Sequence, residues 1–103
     1  MTAQEETPFG AVIRELWATI ESRRDADAQQ SYTAKLLQGD EDQLLKKIGE
    51  ESCEVVMAAK DHDPSPDHLR YELGDLLYHS LVVCARYGLT PDDLAAELQA
   101  RFK

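Results

Sequence analysis

Two cysteines, five glycines and four prolines in 103 residues are too few for a disulfide-stapled, collagen-like or low-complexity chain. Cys53 and Cys84 fall within helical patterns, so buried free thiols are their expected state. Long apolar runs are missing too. The longest, around Leu81 to Ala85, is far short of the roughly 20 residues that cross a bilayer. The start, Met1-Thr2-Ala3-Gln4-Glu5-Glu6, lacks the basic-then-apolar order of a secretory signal, which points to the cytoplasm. Positive charge is scarce: 11 Lys and Arg against 20 Asp and Glu give a formal charge of −9 and a pI near 4.6. That balance disfavours nucleic acid or an anionic membrane as unaided partners. It fits a protein that handles cations, or that handles anions through bound cations.

What remains is enough for one core. The length is that of a single domain, here residues 1–103 with 1–6 as a flexible lead. Hydrophobic residues make up 43%, and a chain of this size buries about 65% of its unfolded surface.

The apolar period is helical throughout. Thr7-Pro8 reads as a cap followed by proline at the first helical position. Phe9, Val12, Ile13, Leu16, Trp17 and Ile20 then recur at helical spacing, and residues 25–30 form a polar linker. Ser31 caps a short helix, Tyr32 to Gln38, ended by Gly39. Asp40 caps a long helix with the stripe Leu44, Leu45, Ile48, Ser52, Val55, Val56 and Ala59, which ends by Pro64. Ser65-Pro66 repeats the cap-then-proline signal. A second long helix runs to Tyr87 with Leu69, Leu73, Leu76, Leu77, Ser80, Val83 and Cys84, and Gly88 sits where a left-handed residue is wanted. Thr90-Pro91-Asp92-Asp93 opens a last helix carrying Leu94, Leu98 and Phe102. The expected architecture is an all-α bundle with two long central helices. Cys53 and Met57 on one, and Tyr78, Leu81, Val82 and Ala85 on the other, lie off the main stripes. Helices apolar on two sides need partners on two sides, so a homodimer packed through these helices is expected.

Acidic pairs are common in so acidic a chain, and their placement is what carries information. At 100° per residue, Glu51 and Glu54 flank one edge of the first long stripe, with Glu50 pointing further out. Glu72, Asp75 and His79 flank an edge of the second. If the helices pack antiparallel, the pairs face each other. Four converging, partly desolvated carboxylates repel and rise in pKa unless a cation joins them. Mg²⁺, with Mn²⁺ as an alternative, takes such oxygen ligands. The competing reading is a solvated acidic face without a role. A ferritin-like di-iron site wants Glu-x-x-His on two helices, whereas His79 stands four residues after Asp75.

Lys46, Lys47, Lys60 and Lys35, with Ser31, Tyr32 and Thr33, surround these positions. A metal site edged by lysines and hydroxyls suits a polyphosphate substrate, while surface lysines balancing surface acids are the plainer alternative. His79 is a donor to a metal ligand, a general base, or a satisfied core-edge histidine. His62 and His68 carry no assignment. Walker, Ser-His-Asp and Cys-x-x-Cys patterns are absent from the sequence.

Taken together, Ser31-Tyr32-Thr33-Ala34-Lys35-Leu36-Leu37 with Gly39, Lys46-Lys47-Ile48-Gly49-Glu50-Glu51 with Glu54, Ala59-Lys60, and Glu72-Leu73-Gly74-Asp75-Leu76-Leu77-Tyr78-His79 resemble the phosphoribosyl-ATP pyrophosphohydrolases. These belong to the MazG-type all-α nucleotide pyrophosphohydrolases, and the resemblance spans about residues 9 to 103. It implies hydrolysis of 1-(5-phosphoribosyl)-ATP to 1-(5-phosphoribosyl)-AMP and pyrophosphate, the second step of histidine biosynthesis. It also implies a stand-alone form with a functional link to a phosphoribosyl-AMP cyclohydrolase. On this reading Glu51, Glu54, Glu72 and Asp75 hold Mg²⁺, and Glu50 or Glu51 orients or deprotonates water. Lys47 and Lys60 meet phosphate, and Lys35 with Ser31 and Tyr32 meets phosphate or ribose. A house-cleaning nucleoside triphosphate pyrophosphohydrolase and a non-catalytic helical dimerisation module are the alternatives.

Overall fold

A computed structural model describes residues 8–61 and 66–102. The described residues form five helices: α1 (Phe9–Ser22), α2 (Tyr32–Gln38), α3 (Glu41–Lys60), α4 (Asp67–Arg86) and α5 (Pro91–Gln99). The expected caps Thr7 and Ser65, the lead over residues 1–6, Pro64 and His62 lie outside the described residues.

Local chemistry sets most boundaries. The Ser31 hydroxyl accepts from the Ala34 N–H at 3.1 Å, and the Asp40 carboxylate from the Asp42 N–H at 3.0 Å, each satisfying an orphan amide of a first turn. Thr90 and Asp93 close a capping box at the start of α5. Pro8 and Pro66 occupy the cap positions rather than the first helical ones. Their carbonyls already accept from Val12 at 3.1 Å and Arg70 at 2.9 Å, so the helices begin one residue later than the proline signal suggests. Gly88 takes φ +80°, and the Leu89 N–H reaches back 2.8 Å to the Cys84 carbonyl, the closure that a left-handed residue permits. Gly39 ends α2 for a different reason: its φ is −84°, but a Cβ there would stand 2.9 Å from the Lys35 carbonyl oxygen.

The two long helices pack along their lengths as the main contact of the fold. They run antiparallel: Leu44 shares the core with Val82, Glu51 meets Asp75 midway, and Asp61 meets His68 at the far end. The short α2 lies across both, α1 packs on α4, and α5 packs on α1. Ile20, Leu36, Leu44, Leu81, Val82 and Ala85 form the core. Long-range hydrogen bonds pin the irregular parts to it. Arg24 donates to the Ala85 carbonyl at 2.7 Å and Arg86 to the Leu36 carbonyl at 2.8 Å. Gln38 donates to the carbonyls of Arg24 and Ala26 across the linker.

Three expectations need correction. The buried face of α3 is Leu44, Glu51 and Ala58, flanked by half-buried Ile48 and Val55. It is rotated by about 60° from the expected stripe, toward the acidic edge. Leu45, Ser52, Val56 and Ala59 are exposed, because α4 covers only one side of α3. On α4, Leu73 is exposed while Glu72 and His79 are buried. Second, α5 forms as expected but none of Leu94, Leu98 and Phe102 is buried, since α5 touches α1 and little else. Third, Cys84 is buried but Cys53 is exposed, as it lies on the face of α3 turned away from α4.

Candidate active site

Glu51 sits in the middle of the buried face of α3, 6% exposed. Its position follows from the rotation of the helix: the turn that brings Leu44 and Ala58 onto α4 brings Glu51 with them. Opposite stand Asp75 and His79, one turn apart on α4. Ligand atoms of Glu51, Asp75 and His79 all lie within 4.8 Å of one another. One oxygen of Glu51, Oε1, is buried with no hydrogen-bond partner, a costly condition for a carboxylate that a cation would relieve. Burial pushes the Glu51 carboxyl above the usual range. The Asp75 carboxyl adds to this by hydrogen bonding and charge and Glu72 adds by charge, while Lys47 opposes.

The remaining acids divide. Glu72 is buried, next to Glu51, and its Oε2 meets His68 Nε2 at 3.2 Å. His68 also reaches Asp61 at 3.9 Å. Glu54 is exposed on the following turn of α3 and stands outside the three-residue cluster. Glu50 faces outward and pairs with Lys46 at 3.8 Å and Lys47 at 3.6 Å.

Among the lysines, Lys47 is nearest the acids, 4.0 Å from Glu51 Oε2. Its ammonium is held above the usual range, first by the adjacent Tyr32 phenol and then by Glu50 and Glu51, with desolvation opposing. Lys35 is exposed and lines a cavity of about 460 Å³ with Ala28, Gln29, Gln30, Ser31 and Tyr32. Lys60 lies exposed in the last turn of α3. Ser31 spends its hydroxyl as the α2 cap. Tyr32 joins the cavity to the acids: it lines the former, and its hydroxyl lies 3.1 Å from His79 Nε2.

The residue set fits a hard divalent cation through its carboxylates. His79 is poorly placed as a third ligand, because Nδ1 lies 2.9 Å from the Asp75 carbonyl and Nε2 faces Tyr32. Sequence reasoning left His68 unassigned. Its signal is the i,i+4 spacing to Glu72, which places the ring beside that carboxylate on one helix face. The contact between Tyr32 and His79 spans 47 residues and leaves no trace in any periodic pattern.

Residues 13–102 match the family described as Phosphoribosyl-ATP pyrophosphohydrolase. The chain belongs to this family. It is 52% identical over 97 residues to the phosphoribosyl-ATP pyrophosphatase of Paracidovorax citrulli, covering 89% of this chain and 71% of that one. With the phosphoribosyl-ATP pyrophosphatase of Nitrosomonas eutropha it shares 42% over 95 residues, 92% of this chain and 80% of the relative. The histidine biosynthesis bifunctional protein HisIE of Thermus thermophilus is 43% identical over 98 residues, 95% of this chain but 45% of that longer protein. Membership of the phosphoribosyl-ATP pyrophosphohydrolase family agrees with the sequence resemblance and with the all-helical fold.

Proposed function

We propose that this chain hydrolyses phosphoribosyl-ATP to phosphoribosyl-AMP and pyrophosphate, the second step of histidine biosynthesis, with Mg²⁺ as its cation. One observation carries the metal part: a buried Glu51 oxygen without a partner, facing Asp75. Glu51 and Asp75 hold the ion, with Glu72 beside them and Glu54 at the rim; Mn²⁺ is the nearest substitute by ligand preference. When bound, the cation neutralises phosphate oxygens and acidifies coordinated water. The chain's own groups do the rest. Glu51, through the carboxylate oxygen that faces Lys47, orients the attacking water beside the ion. Glu50, paired with Lys46 and Lys47, steadies Lys47 against the phosphates. Lys35, Ser31 and Tyr32 line the cavity for the nucleotide end, and Lys60 adds positive charge beyond Glu54.

The active form is a homodimer in the cytoplasm. The exposed Leu45, Val56 and Met57 of α3 and Leu73 of α4 support a second copy against these helices. No described helix is long and apolar enough to cross a membrane. A phosphoribosyl-AMP cyclohydrolase is the functional partner, and the fused bifunctional relative supports that link.

Pyrophosphate release tests the substrate. Phosphoribosyl-ATP with Mg²⁺ should be turned over at least a hundredfold faster than ATP, dUTP or other free triphosphates, in line with a site built for one ligand's polar groups. Equal or faster turnover of the free nucleotides would favour a house-cleaning role. No release from any of them would leave a non-catalytic module.

A further inference from the structure

The seven-residue α2 carries Tyr32 and Lys35, both exposed and both lining the cavity. What aims them is the other side of the helix. At 100° per residue, Leu36, Thr33, Leu37 and Ala34 span an arc of about 160° with Thr33 near its middle, and Tyr32 and Lys35 fall outside it. All four are buried or half-buried. Thr33 is the one polar side chain on that face. Its Oγ1 is hydrogen-bonded to the Tyr78 hydroxyl of α4, a half-buried group one turn beyond Asp75. Either hydroxyl can donate, so the bond stands whichever way it points.

Apolar burial is non-directional, so Leu36, Leu37 and Ala34 do not by themselves fix the rotation of α2. A hydroxyl pair inside the same contact does. Turning α2 by one residue would swing Thr33 about 100° away from Tyr78 and part the two oxygens. A polar group within an apolar helix contact sets register in this way, at some cost in stability. The far end of α2 is held separately, by the Arg86 bond to the Leu36 carbonyl. We infer that Thr33 and Tyr78 are positioning residues, whose bond holds the Tyr32 and Lys35 face of α2 in register with Glu51 and Asp75, so that nucleotide and cation meet in one place. The inference rests on the substrate proposed above.

The test is a double-mutant cycle read as KM and kcat on phosphoribosyl-ATP with Mg²⁺. Thr33→Val removes one hydroxyl and keeps the shape, and Tyr78→Phe removes the other and keeps the ring. Each should raise KM about tenfold with kcat within about twofold, and the double variant should be no worse than either, since one bond is lost once. Thr33→Ser should bring KM back to within about twofold of wild type. In a Tyr32→Ala/Lys35→Met background, Thr33→Val should change KM by less than about twofold, because the groups it aims are gone. Circular dichroism checks that each variant folds, and if Thr33→Val does not, Tyr78→Phe makes the same comparison in the same background. An unchanged KM, multiplying penalties, no recovery with Ser, or the full penalty in that background would each overturn the inference while leaving the substrate assignment standing. An inactive wild-type protein would overturn both, so the two failures are distinguishable.

Discussion

Glu51 and Asp75 face one another across the seam between α3 and α4, with ligand oxygens inside a 4.8 Å cluster. Two carboxylates so close, one of them buried, oppose each other when both are ionised. The fold tolerates this because Leu44, Val82 and the rest of the core hold the helices together on the same seam. Stability and function therefore pull in opposite directions at Glu51.

That conflict is measurable without substrate. The Glu51 carboxyl is raised in the fold, chiefly by burial and then by Asp75. A raised carboxyl favours folding while protonated, so its contribution is full below the unfolded pKa and is lost as pH rises through the folded one. Metal-free protein should thus lose stability relative to Glu51→Gln as pH climbs from about 4 toward neutral. Thermal melts of both proteins across this range check it. At neutral pH Glu51→Gln should melt higher by roughly 5 °C, and Mg²⁺ should raise the wild type alone.

Lys47 bridges Glu50 and Glu51 at 3.6 and 4.0 Å. Lys47→Met should raise KM for phosphoribosyl-ATP about tenfold, the scale of one charge-assisted phosphate contact. Steady-state kinetics read this directly, and an unaltered KM would remove Lys47 from the phosphate site.

Light scattering should give twice the chain mass of 11.6 kDa. Replacing the exposed Leu45 and Val56 together by Glu should yield monomers with helical content retained, since a charge at a dimer's apolar centre is strongly disfavoured. A wild-type mass of one chain would refute the dimer.

The two thiols should differ. Cys53 is exposed and Cys84 buried, and burial pushes the Cys84 thiol up, away from the reactive thiolate. In the monomeric variant carrying Glu at positions 45 and 56, a colorimetric thiol reagent should modify one cysteine per folded chain and two after denaturation. Fast reaction of both in the folded protein would contradict the packing around Cys84.

The helices and most of their ends were legible in the sequence because caps and apolar period are local. Thr90 with Asp93, Ser31 with the Ala34 amide, and Gly88 all act within a few residues. The facing of Glu51 and Asp75 was legible for the same reason, as a wheel angle, whereas Glu54, expected with them, is exposed and outside their cluster. The rotation of α3 was not. Its apolar residues serve two sides, and the periodic signal averages both; only α4 decides which side Leu44 takes and that Glu51 goes inward. The bond from Tyr32 to His79 joins residues 47 apart, so helix period cannot encode it. Cys53 misled because helical residues of modest size pattern alike whether covered or bare.

The most direct test of the metal site is Mg²⁺-dependent pyrophosphate release from phosphoribosyl-ATP by wild type, Glu51→Gln and Asp75→Asn. Both variants should retain the helical circular dichroism of the wild type while turnover falls by at least about a thousandfold at every Mg²⁺ concentration. Wild-type turnover in both variants would contradict the assignment of these facing carboxylates to the cation.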